Sequence, residues 1–205
     1  MRVKVKICGI RTLEAAKAAI SAGADFLGFN FVSASPRYIK PSEAYDIIGN
    51  LSKNTKVVGV FANEKREKIM KLISHLKLDF VQLHGDEKPD ECKLTHLAGV
   101  IKAFRLDPKF NDREFIDKVS AYDVDYIMVD RKINGEALDL YRVQRVSRAY
   151  RIFLAGGLTA ENVKDAIRIV RPYAVDAASG IEMDGKQDIN KIKKFITAAK
   201  SLTIR

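Results

Sequence analysis

The sequence predicts an α/β fold, a single (β/α)8 barrel of the TIM-barrel type, and three observations predict it. Eight short runs rich in β-branched and aromatic residues alternate with eight longer stretches of helical period along the 205-residue chain. The strand runs are continuously apolar more than strictly alternating, the pattern of a parallel sheet covered by helices on both faces. The first strand is followed in KICGIRTLEAA by one glycine, not by the glycine fingerprint that marks the nucleotide site of a doubly wound open sheet. Such a barrel lies near minimal length, with residues 1–205 as one domain and no linker, low-complexity segment or repeat beyond the βα unit.

The units follow in order. Val3 to Cys8 precedes a helix at about 12–22, and Gly23 after AAKAAISA supplies the left-handed residue that ends it. Phe26 to Phe31 precedes a helix at 41–52 with Pro41 in its first turn. Val57 to Ala62 precedes a helix at 64–75, in which charges face away from a stripe of Ile69, Leu72, Ile73 and Leu76. Phe80 to His84 precedes 87–97, Val100 to Phe104 precedes 111–121, and Tyr126 to Asp130 precedes 139–148. Ile152 to Ala155 leads to a helix at 159–170, capped by Thr159, with Glu161 near its positive end and Pro172 as its stop. Ala174 to Ala177 and a helix at 188–201 complete the count.

Composition narrows the function. The chain is 47 % hydrophobic and 30 % charged, ordinary for a soluble globular protein. No apolar stretch approaches the roughly 20 residues that cross a bilayer, and MRVKVKICGI is not a signal peptide, so a cytoplasmic protein without membrane partners is expected. Cys8 and Cys92 have no metal-ligand spacing and read as free thiols. The net charge of +10 is spread out and interleaved with acids, without the aromatic-basic pattern of nucleic-acid binding. It fits attraction for small anions.

In a barrel the site is built at the C-terminal ends of the strands. That rule selects Cys8, Asn30 with the loop to Arg37, Asn63, Gln82 and His84, Lys102 and Arg105, Asp130, Gly156 with Gly157, and Asp176, Ser179 and Gly180. The glycine-bearing loops LAGGLTAEN and DAASGIEM follow strands 7 and 8, where barrels hold a phosphate on backbone N–H groups. A phosphorylated small-molecule substrate is expected there, on Gly156, Gly157, Ser179 and Gly180. By local pattern alone Cys8 reads as a core thiol. At a strand mouth beside a helix N-terminus and basic residues, its acidity rises from a pKa of about 8.5 and it becomes a base or nucleophile. Asp130, ending the apolar DYIMVD, suits a general acid, and Arg37 in SPRYI a carboxylate fork. His84 reads as a hydrogen-bonding supporter and Asp176 as support or a second acid.

The blocks KICGI, GADFLGFNF with SPRYI, VGVFAN, DFVQLHGDE, IKAF, IMVD, LAGGLTAENV and VRPYAVDAASGIE occur in the order found in the phosphoribosylanthranilate isomerases, and the chain resembles that family over essentially its whole length. The resemblance implies the Amadori rearrangement of N-(5-phosphoribosyl)anthranilate to the carboxyphenylamino-deoxyribulose phosphate, in tryptophan biosynthesis. It implies Cys8 as general base, Asp130 as general acid and Arg37 at the anthranilate carboxylate; Gln82, His84 and Asp176, selected by their strand ends, are expected on the substrate side. It implies no metal or organic cofactor, and leaves a monomer or homodimer open. The loop RKINGEALDLYRV departs from the family pattern, matching only Gly135, Asp139 and Leu140, with Glu136 where a lysine is common. The alternatives are a related phosphosugar isomerase of histidine biosynthesis, which carries aspartate where Cys8 stands, and a barrel that binds a phosphosugar without turning it over.

Overall fold

The computed structural model describes residues 2–51, 55–93, 97–107, 109–131 and 139–202. Eight parallel strands close in sequence order: β1 (Lys4–Cys8), β2 (Phe26–Asn30), β3 (Lys56–Phe61), β4 (Phe80–Leu83), β5 (Gly99–Leu106), β6 (Tyr126–Arg131), β7 (Ile152–Leu154) and β8 (Ala174–Ala177). Closure comes from β8 pairing with β1, Lys4 opposite Ala174 through Ile7 opposite Ala177. The barrel is as expected, with β5 longer than its apolar run because the ladder to β6 continues through Arg105–Asp130 to Leu106–Arg131.

Seven α-helices lie among the described residues: α1 (Leu13–Ala22), α2 (Pro41–Gly49), α3 (Arg66–Leu76), α4 (Asp112–Val119), α5 (Leu140–Ala149), α6 (Val163–Val170) and α7 (Ile189–Lys200). Several ends are set by side chains: Thr12, Asn111, Asp139 and Asp188 each accept backbone N–H bonds of the following turn. The helix expected at 87–97 is replaced, among the described residues, by a 3-10 turn at Pro89–Cys92. Its would-be first residue is drawn inward, for the buried Glu87 carboxylate accepts from Asn63 N–H, Gly85 N–H and the Lys102 ammonium. Residues 94–96 lie outside the described residues. A second correction concerns α6, which starts at Val163; Thr159 accepts from Glu161 N–H and so shapes the turn ahead of the helix instead of capping it.

Every second strand residue points into the barrel. Phe26, Val58, Ile101, Met128, Phe153 and Ala174 pack there as a separate apolar cluster, with Phe26 edge-on to Phe80 at 5.8 Å and to Phe153 at 5.2 Å. These rings form the floor on which the site stands. The outward residues, Val5, Ile7, Leu27 and Val81 among them, pack beneath the helices. At the N-terminal face, Asp25, Asp79 and Asp125 each sit just before a strand and accept the N–H of Val5, Val57 and Val100 at 2.9, 2.8 and 2.7 Å. One element is absent from the sequence reading. After β8 and a 3-10 turn (Ser179–Ile181), β9 (Glu182–Met183) and β10 (Lys186–Gln187) form a small antiparallel ribbon beside the barrel mouth.

Candidate active site

The C-terminal ends of the strands surround a cavity of about 620 Å³. Its wall contains Cys8, Asn30, Arg37, Gln82, His84, Arg105, Asp130, Gly156, Gly157, Asp176 and Ser179. Each comes from an inward strand position or the loop after it, which is how residues distant in the chain converge. Three residues picked by the strand-end rule are absent from the wall. Asn63 instead ties the loops after β3 and β4, its Oδ1 accepting from Asp86 N–H at 2.7 Å. Lys102 is buried against Gly85 O and Glu87, both at 2.7 Å. Gly180 stands behind the wall, where a Cβ would come within 2.0 Å of Leu158 O. Its role is to let the loops after β7 and β8 touch.

On one side of the cavity Gln82 Nε2 meets His84 Nδ1 at 2.9 Å, and His84 Nε2 lies 3.2 Å from Asp130 Oδ2. With the Gln82 amide donating, Nδ1 accepts and the ring proton sits on Nε2, facing Asp130. The approach to Asp130 is close but off the hydrogen-bond line, and buried Gln82 Oε1 has no partner among the described residues. The side of the ring that meets Asp130 is thus set from behind by Gln82.

On the other side stands Cys8, 7 % exposed. Two positions earlier on the same strand face is Lys6, fully buried, whose Nζ donates to Asp176 Oδ1 at 2.8 Å. Strand register explains the meeting: Lys6 is opposite Asp176 on β8, and Cys8 is opposite Gly28 on β2. Burial pushes the Cys8 thiol above its ordinary value; Lys6 and Arg37 pull it down, Asp176 pushes it up, and burial prevails. The expectation of an acidified thiol is therefore not met. For Lys6, burial favours the neutral amine, but the charges of Asp176 and Cys8 outweigh it and hold the ammonium well above the usual lysine range. Asp176 is thus engaged by Lys6 at the cavity wall.

Arg37 enters from the loop after β2. That loop is fixed by Ser35, whose Oγ accepts from Asn30 Nδ2 at 3.1 Å and from Arg37 N–H at 3.2 Å. The guanidinium forks onto Glu182 of β9, Nε to Oε1 at 2.8 Å and Nη2 to Oε2 at 2.7 Å. Arg11 bridges the same two loops, donating to Pro36 O and Gly185 O. Gly9 has φ of 78°, a left-handed backbone that favours glycine, and a Cβ on it would also lie 2.7 Å from Arg37 Cδ. At the opposite rim Gly156 and Gly157 adopt φ of 100° and 75°, which turn their loop across the end of β7. With Ser179 in the adjoining 3-10 turn they form a small, uncharged corner able to present N–H groups to an anion.

Lys6, Glu182 and Gln187, whose Nε2 donates to Cys8 O at 3.3 Å, were missed from the sequence. Lys6 had a readable signal, its i, i+2 spacing from Cys8; the other two lie in a ribbon too short to announce itself. The departing loop after β6 falls at residues 132–138, outside the described residues, while Asp139 caps α5. Among the described residues no cluster of three or more His, Cys, Asp or Glu side chains is placed to hold a metal ion, and no helix is long and apolar enough to cross a membrane.

Comparison with known proteins gives a consistent match. The family model described as N-(5'phosphoribosyl)anthranilate (PRA) isomerase matches residues 5–198. A relative from Trichlorobacter lovleyi named N-(5'-phosphoribosyl)anthranilate isomerase is 44 % identical, covering 97 % of this chain and 98 % of its own. The crystal structure of phosphoribosyl anthranilate isomerase from Thermotoga maritima superposes with a TM-score of 0.89 at 40 % identity, covering 98 % of this chain and all of that one. A crystal structure of the enzyme in complex with reduced 1-(o-carboxyphenylamino)-1-deoxyribulose 5-phosphate superposes with a TM-score of 0.87, also at 40 % identity, with 98 % and 100 % coverage.

Proposed function

The chain belongs to the N-(5'-phosphoribosyl)anthranilate isomerase family, and from that membership we propose how its own residues carry the isomerisation. It is an isomerase of tryptophan biosynthesis, converting phosphoribosylanthranilate to the carboxyphenylamino-deoxyribulose phosphate. The observation that carries the mechanistic reading is that Cys8, from β1, and Asp130, from β6, face one cavity whose rim holds a glycine corner on one side and a fixed arginine on another.

In this reading the phosphate rests on the N–H groups of Gly156, Gly157 and Ser179, and the anthranilate carboxylate lies toward Arg37. Gln82, His84 and Asp176 complete the substrate's surroundings. Asp130 enters protonated and gives its proton to the ribose ring oxygen as the C1–O bond breaks, leaving an iminium between C1 and the anthranilate nitrogen. The positive nitrogen acidifies the C2 proton, and Cys8 as thiolate removes it, its electron pair forming the C1–C2 double bond of an enolamine. Protonation at C1 and loss of the C2 hydroxyl proton then yield the ketone. Acid and base attack opposite ends of one short atom chain, and the anchored phosphate and carboxylate hold that chain in register.

Both cysteines are free, which suits the reducing cytoplasm to which we assign the enzyme. For assembly we keep a monomer or a homodimer, a choice that size-exclusion with light scattering decides. The test of the whole reading is turnover of phosphoribosylanthranilate, followed spectrophotometrically, by the purified chain and by Cys8→Ser. Binding of the substrate without conversion by the parent chain would favour a non-catalytic barrel.

A further inference from the structure

We propose that Lys6 is the positioning residue that gives Cys8 its charge, its buried ammonium shared between the sulfur and Asp176 so that these two compete for one cation. The inference rests on the reading of Cys8 as the base. A base must be a thiolate, and this thiol is buried at the base of the cavity above an aromatic floor, where an uncompensated anion is unstable. The charged groups facing it are Lys6 on its own strand, Asp176 from β8 and Arg37 from the loop after β2. Arg37 is occupied by both oxygens of Glu182. Lys6, on the sulfur's own strand face and facing the same space over Gly28, is the buried cation that answers it.

Two further observations set Lys6 apart from a packing residue. Below the strand ends the other strands turn Phe26, Val58, Ile101, Met128 and Phe153 inward as one apolar cluster, so Lys6 and Asp176 bring charge to an interior that is apolar beside them. A buried lysine–aspartate pair is often no more stabilising than apolar side chains of the same volume, so stability alone does not account for charge placed here. The second observation is Gly28, opposite Cys8. A Cβ there would lie 2.8 Å from Cys8 Sγ and 3.0 Å from Lys6 Nζ, so sulfur and ammonium both crowd the space that the missing side chain leaves. The sharing also gives Asp176 two opposed effects. Its carboxylate keeps the ammonium protonated while drawing it away from the sulfur, so hydrogen bonds from substrate hydroxyls to Asp176 would release Lys6 toward Cys8.

The experiment measures iodoacetamide alkylation of Cys8 against pH in the full chain carrying Cys92→Ser, without substrate. Lys6→Met moves the midpoint up by about one pH unit or more, and Asp176→Asn moves it down, since the ammonium is then left to the sulfur alone. The double variant Lys6→Met/Asp176→Asn, which leaves no unpaired charge and protects against misfolding of the single change, stays above the parent. An unchanged midpoint on loss of Lys6, or a shift in the same direction for both single variants, overturns the proposal. A purely structural ion pair would move melting temperature but not these midpoints in opposite directions. Because alkylation is read without turnover, an active Cys8→Ser would refute the base assignment separately.

Discussion

Arg37 holds both carboxylate oxygens of Glu182 in a fork, at 2.8 and 2.7 Å, and Nη1 is left without a hydrogen-bond partner among the described residues. The ribbon after β8 therefore aims the arginine, and the arginine keeps the N–H groups of Nη1 for an incoming carboxylate. Glu182→Gln keeps the shape and removes the charge. It should raise KM about fivefold with kcat within about a factor of two, a modest effect because the pair is partly exposed. Arg37→Ala should raise KM by a further order of magnitude. Steady-state kinetics on both variants decide it; an unaltered KM for Arg37→Ala would remove Arg37 from the substrate.

Exchanging the proton-transfer groups should act on kcat. Cys8→Ser replaces a thiolate by a hydroxyl that does not ionise near neutrality, and Asp130→Asn removes the acidic proton. Each is expected to lower kcat by about 10²- to 10⁴-fold while substrate still binds. Isothermal titration beside the turnover assay separates the two quantities. Wild-type turnover by either variant would show that the proton is moved by another group.

The pH profile follows from the burial of Cys8. The thiol must lose its proton to act, and burial holds its pKa above the ordinary thiol range despite Lys6 and Arg37. The thiolate is thus the minor form at neutrality, and the rate at which iodoacetamide alkylates Cys8 should climb with pH across about pH 6 to 9, the slope flattening only as the thiol ionises. In Cys8→Ser that basic limb should vanish. A flat alkylation profile for the parent chain would mean that burial does not hold the thiol protonated at neutrality.

How much of this was legible in the sequence differs between strand interior and loop. Period and apolarity sufficed for the eight strands, since burial on both faces writes itself into every residue of a run. The inward set Cys8, Gln82, Asp130 and Asp176 followed from strand ends alone. Lys6 did not: its spacing from Cys8 puts it on the inward face, but nothing local gives the ammonium a partner there until the closing strand β8 brings Asp176 against it across 170 residues. The 3-10 turn at Pro89–Cys92 escaped for a similar reason: Glu87 is pulled inward by Lys102 and by the loop after β3, partners outside any local window. The three strand-capping aspartates were visible as a repeated Asp-aromatic pair, in ADF, LDF and VDY, but the repeat acquires meaning only with the preceding strand's free N–H beside it.

Glu87 and Lys102 supply a stability prediction at the same rim. Their side chains are 7 % and 2 % exposed and lie 2.7 Å apart. Burial alone would raise the Glu87 pKa, but the Lys102 ammonium and the Asn63 N–H outweigh it, and the carboxyl is held below the usual range. A depressed carboxyl pKa stabilises the fold above the unfolded value of about 4.3 and loses that contribution as pH falls through the folded value. Urea midpoints should therefore decline below about pH 4 more steeply in the parent chain than in Lys102→Met/Glu87→Leu. Glu87→Gln alone strands a buried ammonium and should cost about 3–5 kcal/mol, whereas the double change should recover most of it. If Glu87→Gln unfolds at the parental urea concentration, the pair is not holding the loops after β3 and β4 together, and the inward pull on Glu87 fails as the reason a 3-10 turn replaces the fourth helix.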